Sequence, residues 1–123
     1  MKIQNWFKIA GIFVMLLGII HCCATPVIFR LFASPAHIDP ASVYMFFMVG
    51  LSTIFIGWLQ YFTIKRVLND QDFLTILKIT IVFMSIIGIA AVGTMWKNPF
   101  AYICLVMAIF EWVLFLQLKS VEI

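Results

Sequence analysis

The sequence predicts an all-α fold: an integral membrane four-helix bundle with antiparallel, up-down topology. Hydrophobic residues make up 65% of the 123-residue chain and charged residues 11%, whereas soluble domains are nearer half apolar and a quarter charged. The apolar residues form four stretches of about 20 residues, the length that crosses a hydrocarbon core. The connections are too short to hold a further domain. We therefore expect a single four-span domain over residues 1–123.

Each span can be placed from its apolar run and its flanking polar residues. We expect the four spans at about residues 9–29, 43–64, 73–95 and 100–118. Asp39-Pro40 and Asn98-Pro99 are each typical of a capping residue followed by proline at the first helical position. Pro26 lies near the end of the first span, where a kink or a helix end costs least.

Basic residues lie mostly on one side of the predicted membrane. That side holds Lys2, Lys8, Lys65, Arg66 and Lys119, with Lys78 close by, and the other side holds Arg30 and Lys97. The positive-inside rule therefore places both termini in the cytoplasm. Tryptophan and tyrosine residues fall near both expected boundaries, where they concentrate in membrane proteins.

Charge and cysteine content exclude several classes of function. The net charge of +3 comes without a run of Lys or Arg, so we expect no nucleic-acid partner. The three cysteines form no CxxC motif, which argues against a redox pair or a zinc knuckle. His21, Cys22 and Cys23 are adjacent on a helix and point about 100° apart, so no metal site is expected. Haem would need a second histidine inside the membrane, and we expect no cofactor.

The candidate site is organised around Glu111, which lies in the middle of the fourth span. A carboxyl group at this depth is rare and usually faces a partner or a cavity. Counting 1.5 Å per residue from the outer ends places His21, Thr53, Ser85 and Glu111 about 12–16 Å deep, one in each span. We expect these four side chains to converge, with His21 paired to Glu111 directly or through water.

Small residues indicate which helix faces pack against each other. Gly11 and Gly18 share a face with His21, while Gly50 and Gly57 share one with Thr53 and Gln60. The segment 88–93 supplies further small residues, and Cys104 shares a face with Glu111. The candidate acid/base residues are therefore His21 and Glu111, and the candidate ligand contacts are Thr53, Ser85, Cys104 and Gln60.

Two classes of function remain open. The first is a non-catalytic membrane component, either an accessory subunit or a lipid- or quinone-binding protein. Its partners would be membrane lipid, an apolar small molecule or quinone, and other membrane subunits. The second is a membrane-embedded enzyme in which His21 and Glu111 act as an acid/base pair on an apolar lipid or isoprenoid substrate. The same polar residues also suit plain interhelical hydrogen bonding.

In length and hydropathy the chain resembles small bacterial four-helix membrane proteins of the DoxX-like kind. The resemblance covers overall shape and no motif, so it carries over no site residue and no activity. For such a chain we expect a multi-pass protein of the bacterial inner (cytoplasmic) membrane.

Overall fold

A computed structural model describes residues 2–32, 40–66 and 71–121. These residues form four α-helices and no β-strand: α1 (Ile3–Phe32), α2 (Pro40–Thr63), α3 (Gln71–Thr94) and α4 (Pro99–Val121). Each helix contains a stretch long and apolar enough to cross a membrane: Ile3–Val27, Val43–Thr63, Asp72–Thr94 and Pro99–Leu118. The predicted all-α class with four candidate membrane spans is confirmed.

The first helix is longer than its predicted span. It has 30 residues, against 24, 24 and 23 in the other three, so it is about 45 Å long where they are about 35 Å. Pro26 does not end α1, which continues to Phe32. The preceding Thr25 hydroxyl donates a hydrogen bond to the carbonyl oxygen of His21, 2.8 Å away.

The cap predicted at the start of α4 is confirmed. Asn98 Oδ1 accepts a hydrogen bond from the backbone N–H of Phe100 at 3.0 Å, and α4 begins at Pro99. This bond satisfies one of the backbone donors that a helix start leaves free. α2 likewise begins at Pro40, and the capping residue predicted for it, Asp39, lies outside the described residues.

Glycines bring α1 and α2 into close contact, as their shared faces predict. A Cβ atom built on Gly18 would lie 2.7 Å from the Gly50 carbonyl oxygen, and one on Gly57 would lie 2.5 Å from the Gly11 carbonyl oxygen. Only residues without a side chain allow two helix backbones to approach this closely. The earlier glycine of α1 meets the later glycine of α2, and the later glycine of α1 meets the earlier glycine of α2.

α3 packs mainly on α4, and the two helix pairs meet through sparser contacts. A Cβ atom on Gly88 would lie 2.9 Å from the Leu105 Cα, whereas Gly93 has nothing within 4 Å. The small-residue segment therefore makes a close contact at its first glycine and none at its last. Trp112 Nε1 adds a hydrogen bond from α4 to the Ser85 hydroxyl on α3, at 3.0 Å.

Two apolar clusters fill the bundle interior. The terminal cluster contains Phe7, Ala10, Ile64, Leu77, Ile81, Leu114, Phe115 and Leu118. The central cluster contains Val14, Leu17, Ile56, Met84, Cys104 and Ala108. Along α4, Glu111 lies between the last residue of the central cluster and the first of the terminal cluster. Many other large apolar side chains are exposed, as expected for helices that face lipid.

Candidate functional site

His21 is held in a fixed orientation by two aromatic rings and one hydrogen bond. Its ring stacks on Phe46 of α2, with centroids 4.1 Å apart, and lies 5.1 Å from the ring of Phe100 in α4. Its Nε2 is 3.1 Å from the Phe46 carbonyl oxygen. Because a carbonyl oxygen only accepts, Nε2 must carry a proton, and Nδ1 is the acceptor of the neutral ring.

Gly50 leaves the room that this arrangement needs. A Cβ atom there would lie 3.1 Å from His21 Cδ2 and 2.5 Å from Cys22 Sγ. The close glycine contact between α1 and α2 therefore also positions the imidazole. The Cys22 thiol lies 3.7 Å from the Phe47 carbonyl oxygen, and all three cysteines are unbridged.

A cavity of about 220 Å³, the His21 cavity, lies beside His21. Its lining is Phe46, Val49, Thr53, Ile86, Ile87, Ala90, Ala91, Thr94, Met95, Asn98, Phe100, Ala101 and Cys104, together with His21. The lining is therefore mainly apolar with a few polar groups, the usual character of a small-molecule site. The Thr53 hydroxyl donates to the Val49 carbonyl oxygen at 2.8 Å, which leaves its oxygen free to accept. Ile86 and Ala90 at the cavity edge are exposed.

A second polar feature, the Gln60–Glu111 pair, lies within the bundle. Both side chains are fully buried, and Gln60 Nε2 donates a hydrogen bond to Glu111 Oε2 at 2.9 Å. The remaining oxygens, Gln60 Oε1 and Glu111 Oε1, have no hydrogen-bond partner among the described residues. The pair joins α2 to α4 between the two apolar clusters.

The expected pairing of His21 with Glu111 is wrong. His21 lies beside Phe100, and Glu111 follows eleven residues later on α4, a separation of about 16 Å along the helix. The expected convergence of one polar residue from each span is therefore wrong as well. Thr53 and Cys104 line the cavity with His21, while Ser85 bonds to Trp112 and to the Ile81 carbonyl oxygen.

A depth count from the helix ends does not give the true levels of these side chains. That count assumes that all four helices end at one level, but α1 continues for eleven residues beyond His21, whereas Phe100 is the second residue of α4. A count from the opposite ends would have placed Gln60 and Glu111 in the same half of the membrane, four residues before Ile64 and seven before Leu118. No signal in the sequence singles out Phe46 and Phe100 among 13 phenylalanines as the rings that contact His21.

Within the described part of the chain, no group of three or more His, Cys, Asp or Glu side chains comes together as a metal site would require. The site offers instead an apolar cavity with one imidazole, and a separate buried amide–carboxyl pair. No family model, curated protein or solved structure matches the chain.

Proposed function

We propose that the protein binds the head of an apolar membrane lipid, such as a quinone or an isoprenoid, in the His21 cavity and does not transform it. The observation that supports this is a cavity of about 220 Å³ that joins a mainly apolar lining to a fixed imidazole. Cavities for drug-sized ligands are usually about 300–1,000 Å³. This smaller cavity suits a ring or a head group, with the apolar tail leaving between the helices into the bilayer.

The polar groups of the cavity suit a ligand with an oxygen substituent. Nδ1 of neutral His21 can accept a hydrogen bond from a quinol or prenol hydroxyl, and the protonated ring can donate to a quinone carbonyl. The Thr53 oxygen offers a second acceptor. Because two aromatic rings already hold His21 in place, little side-chain entropy would be lost on binding.

In this proposal the helices run up and down, both termini lie in the cytoplasm, and the membrane is the bacterial inner membrane. The pairing of Gly11 with Gly57 and of Gly18 with Gly50 supports opposite directions for α1 and α2. The orientation rests on the distribution of basic residues. The partners are membrane lipid, an apolar small molecule or quinone, and other membrane subunits where the protein serves as an accessory component.

No observation favours the alternative, an enzyme in which His21 and Glu111 act together on an apolar lipid or isoprenoid. General acid/base catalysis requires each group within hydrogen-bond reach of the atoms that exchange a proton, directly or through one water. His21 and Glu111 are about 16 Å apart along the axis of α4, so they cannot both reach the same reacting group. None of the described residues that line the cavity carries a carboxyl group.

The test is a titration of purified protein in lipid nanodiscs with a short-tailed benzoquinone and its quinol. Ala91→Leu places a larger side chain in the cavity lining and should weaken binding at least about tenfold, equivalent to about 1.4 kcal/mol. His21→Phe keeps an aromatic ring but removes both ring nitrogens, and should weaken binding about 5- to 30-fold.

Ala24→Leu is the matched control, because Ala24 is also a half-buried helical alanine but does not line the cavity. It should bind as the unchanged protein does. The proposal fails if the unchanged protein binds neither ligand and carries no apolar lipid detectable by mass spectrometry. It also fails if Ala91→Leu binds as tightly as the control.

A further inference from the structure

The Gln60–Glu111 pair lies apart from the His21 cavity and needs its own explanation. Both side chains are fully buried, yet they make only one hydrogen bond with each other. Gln60 Oε1 and Glu111 Oε1 have no partner among the described residues. Neither residue lines the His21 cavity or the two apolar grooves at the α1–α2 and α2–α3 surfaces.

An ionised Glu111 cannot satisfy these two oxygens. A carboxylate only accepts hydrogen bonds, and so does the carbonyl oxygen of a glutamine amide. Two acceptors would then remain unpaired beside a buried negative charge, an arrangement that proteins avoid. Among the buried residues of the described segments, His21 alone could carry a positive charge. It lies beside Phe100, which is about 16 Å from Glu111 along α4.

Among the described residues, the helices around Glu111 place no other charged side chain in the core beside it. At this level α1 contributes Phe7, Ala10 and Val14 to the core, and α3 contributes Leu77, Ile81 and Met84. Lys8 of α1 is half-buried and Lys78 of α3 is exposed, so both lie outside the core. Tyr61, next to Gln60 on α2, is half-buried, with Lys65 Nζ 4.6 Å from its ring centroid. Cys104, the nearest buried thiol on α4, lies about two turns from Glu111.

One proton on Glu111 would supply the missing hydrogen-bond donor. A carboxylic acid has one donor and one acceptor in the same plane, and the amide of glutamine has the complementary set. With the proton on Oε1, Glu111 can donate to Gln60 Oε1 while Gln60 Nε2 donates to Glu111 Oε2. Both oxygens are then paired, and no charge remains inside the bundle.

We propose that the Gln60–Glu111 pair is a proton-binding site that holds Glu111 as a carboxylic acid inside the membrane. The ligand is a single proton, which needs no cavity. A metal cation would need more oxygen ligands than the two that are free here. Loss of the proton leaves a charge next to an amide oxygen, so it requires water to enter or α2 and α4 to move apart.

The test is infrared difference spectroscopy of the full chain in lipid vesicles at neutral pH, in H₂O and in D₂O. Subtracting the Glu111→Gln spectrum should show the loss of a carboxylic-acid C=O band that shifts in D₂O. Asp72→Asn is the control, because Asp72 is exposed at the start of α3, and its difference spectrum gives the bands of a carboxyl group in contact with water. Loss of a carboxylate band in Glu111→Gln would overturn the proposal.

A second variant keeps the proposal testable should Glu111→Gln fail to fold. Gln60→Leu removes the amide donor to Glu111 Oε2, so the carboxylic-acid band should move to higher wavenumber. An unchanged band in Gln60→Leu would contradict the paired arrangement. The result does not depend on lipid binding in the His21 cavity, so failure of either proposal can be recognised separately.

Discussion

Gln60 and Glu111 show how an apolar bundle tolerates a polar interior at the scale of single residues. Each group alone would be a buried polar side chain without a partner, but together they form a bond of 2.9 Å between α2 and α4. Removing one member leaves the other unsatisfied, whereas removing both leaves a purely apolar contact between the two clusters. The energetic value of the pair therefore lies mainly in the cost of breaking it.

A double-mutant cycle measures this cost. Gln60→Leu and Glu111→Leu should each lower the free energy of unfolding by about 1–3 kcal/mol, because each leaves a buried polar group unpaired. The double variant should be more stable than the sum of the single losses predicts. Unfolding of the purified protein in mixed micelles provides the measurement. Single variants as stable as the unchanged protein would show that the pair has no structural role.

At the scale of whole helices, the glycines determine how α1 and α2 meet. Gly11 and Gly57 are close neighbours, and so are Gly18 and Gly50, so the two backbones touch over about two turns. In a membrane, where burial from water does not drive helix association, such close packing is a main source of stability. The same contact allows the ring of His21 to lie beside Gly50.

Alanine substitutions should separate the packing glycines from the others. Gly18→Ala and Gly57→Ala each place a Cβ atom within 2.7 Å of backbone atoms on the neighbouring helix, and should cost about 1–3 kcal/mol. Gly93→Ala is the matched control, since its Cβ would meet nothing within 4 Å. Thermal unfolding in detergent can compare the three variants. Equal behaviour of Gly57→Ala and Gly93→Ala would contradict the close contact.

At the scale of the molecule, aromatic and basic side chains cluster at both ends of the helices. Lys65 lies over the Tyr61 ring with 4.6 Å between Nζ and the centroid, and Arg66 lies 5.6 Å from the Phe73 centroid. Lys97 lies 5.1 Å from the Trp96 centroid, in the turn just before α4. Such pairs suit the boundary between hydrocarbon and water. We propose that the end beside Lys65 faces the cytoplasm, because more basic residues lie on that side.

Cysteine labelling tests this orientation. In a variant with Cys22, Cys23 and Cys104 replaced by alanine, single cysteines are introduced as Lys65→Cys or Lys97→Cys, both at exposed positions. A membrane-impermeant maleimide is added to cells whose outer membrane has been made permeable and whose inner membrane is intact. It should label the Lys97→Cys variant only. The Lys65→Cys variant should react after the inner membrane is opened. The reverse pattern would place the termini outside the cytoplasm.

The sequence alone was enough to predict four apolar helices, the cap at Asn98 and the glycine faces of α1 and α2. Length, hydropathy and capping chemistry are local properties, and each can be recognised without knowing the neighbouring helix. The partners of His21 and Glu111 were decided only by the tertiary structure. The axial offset of one helix against another depends on side-chain packing and on the extra length of α1, and neither can be obtained by counting residues from the ends of a span. The offset places His21 beside Phe46 and Phe100, and leaves Glu111 to Gln60.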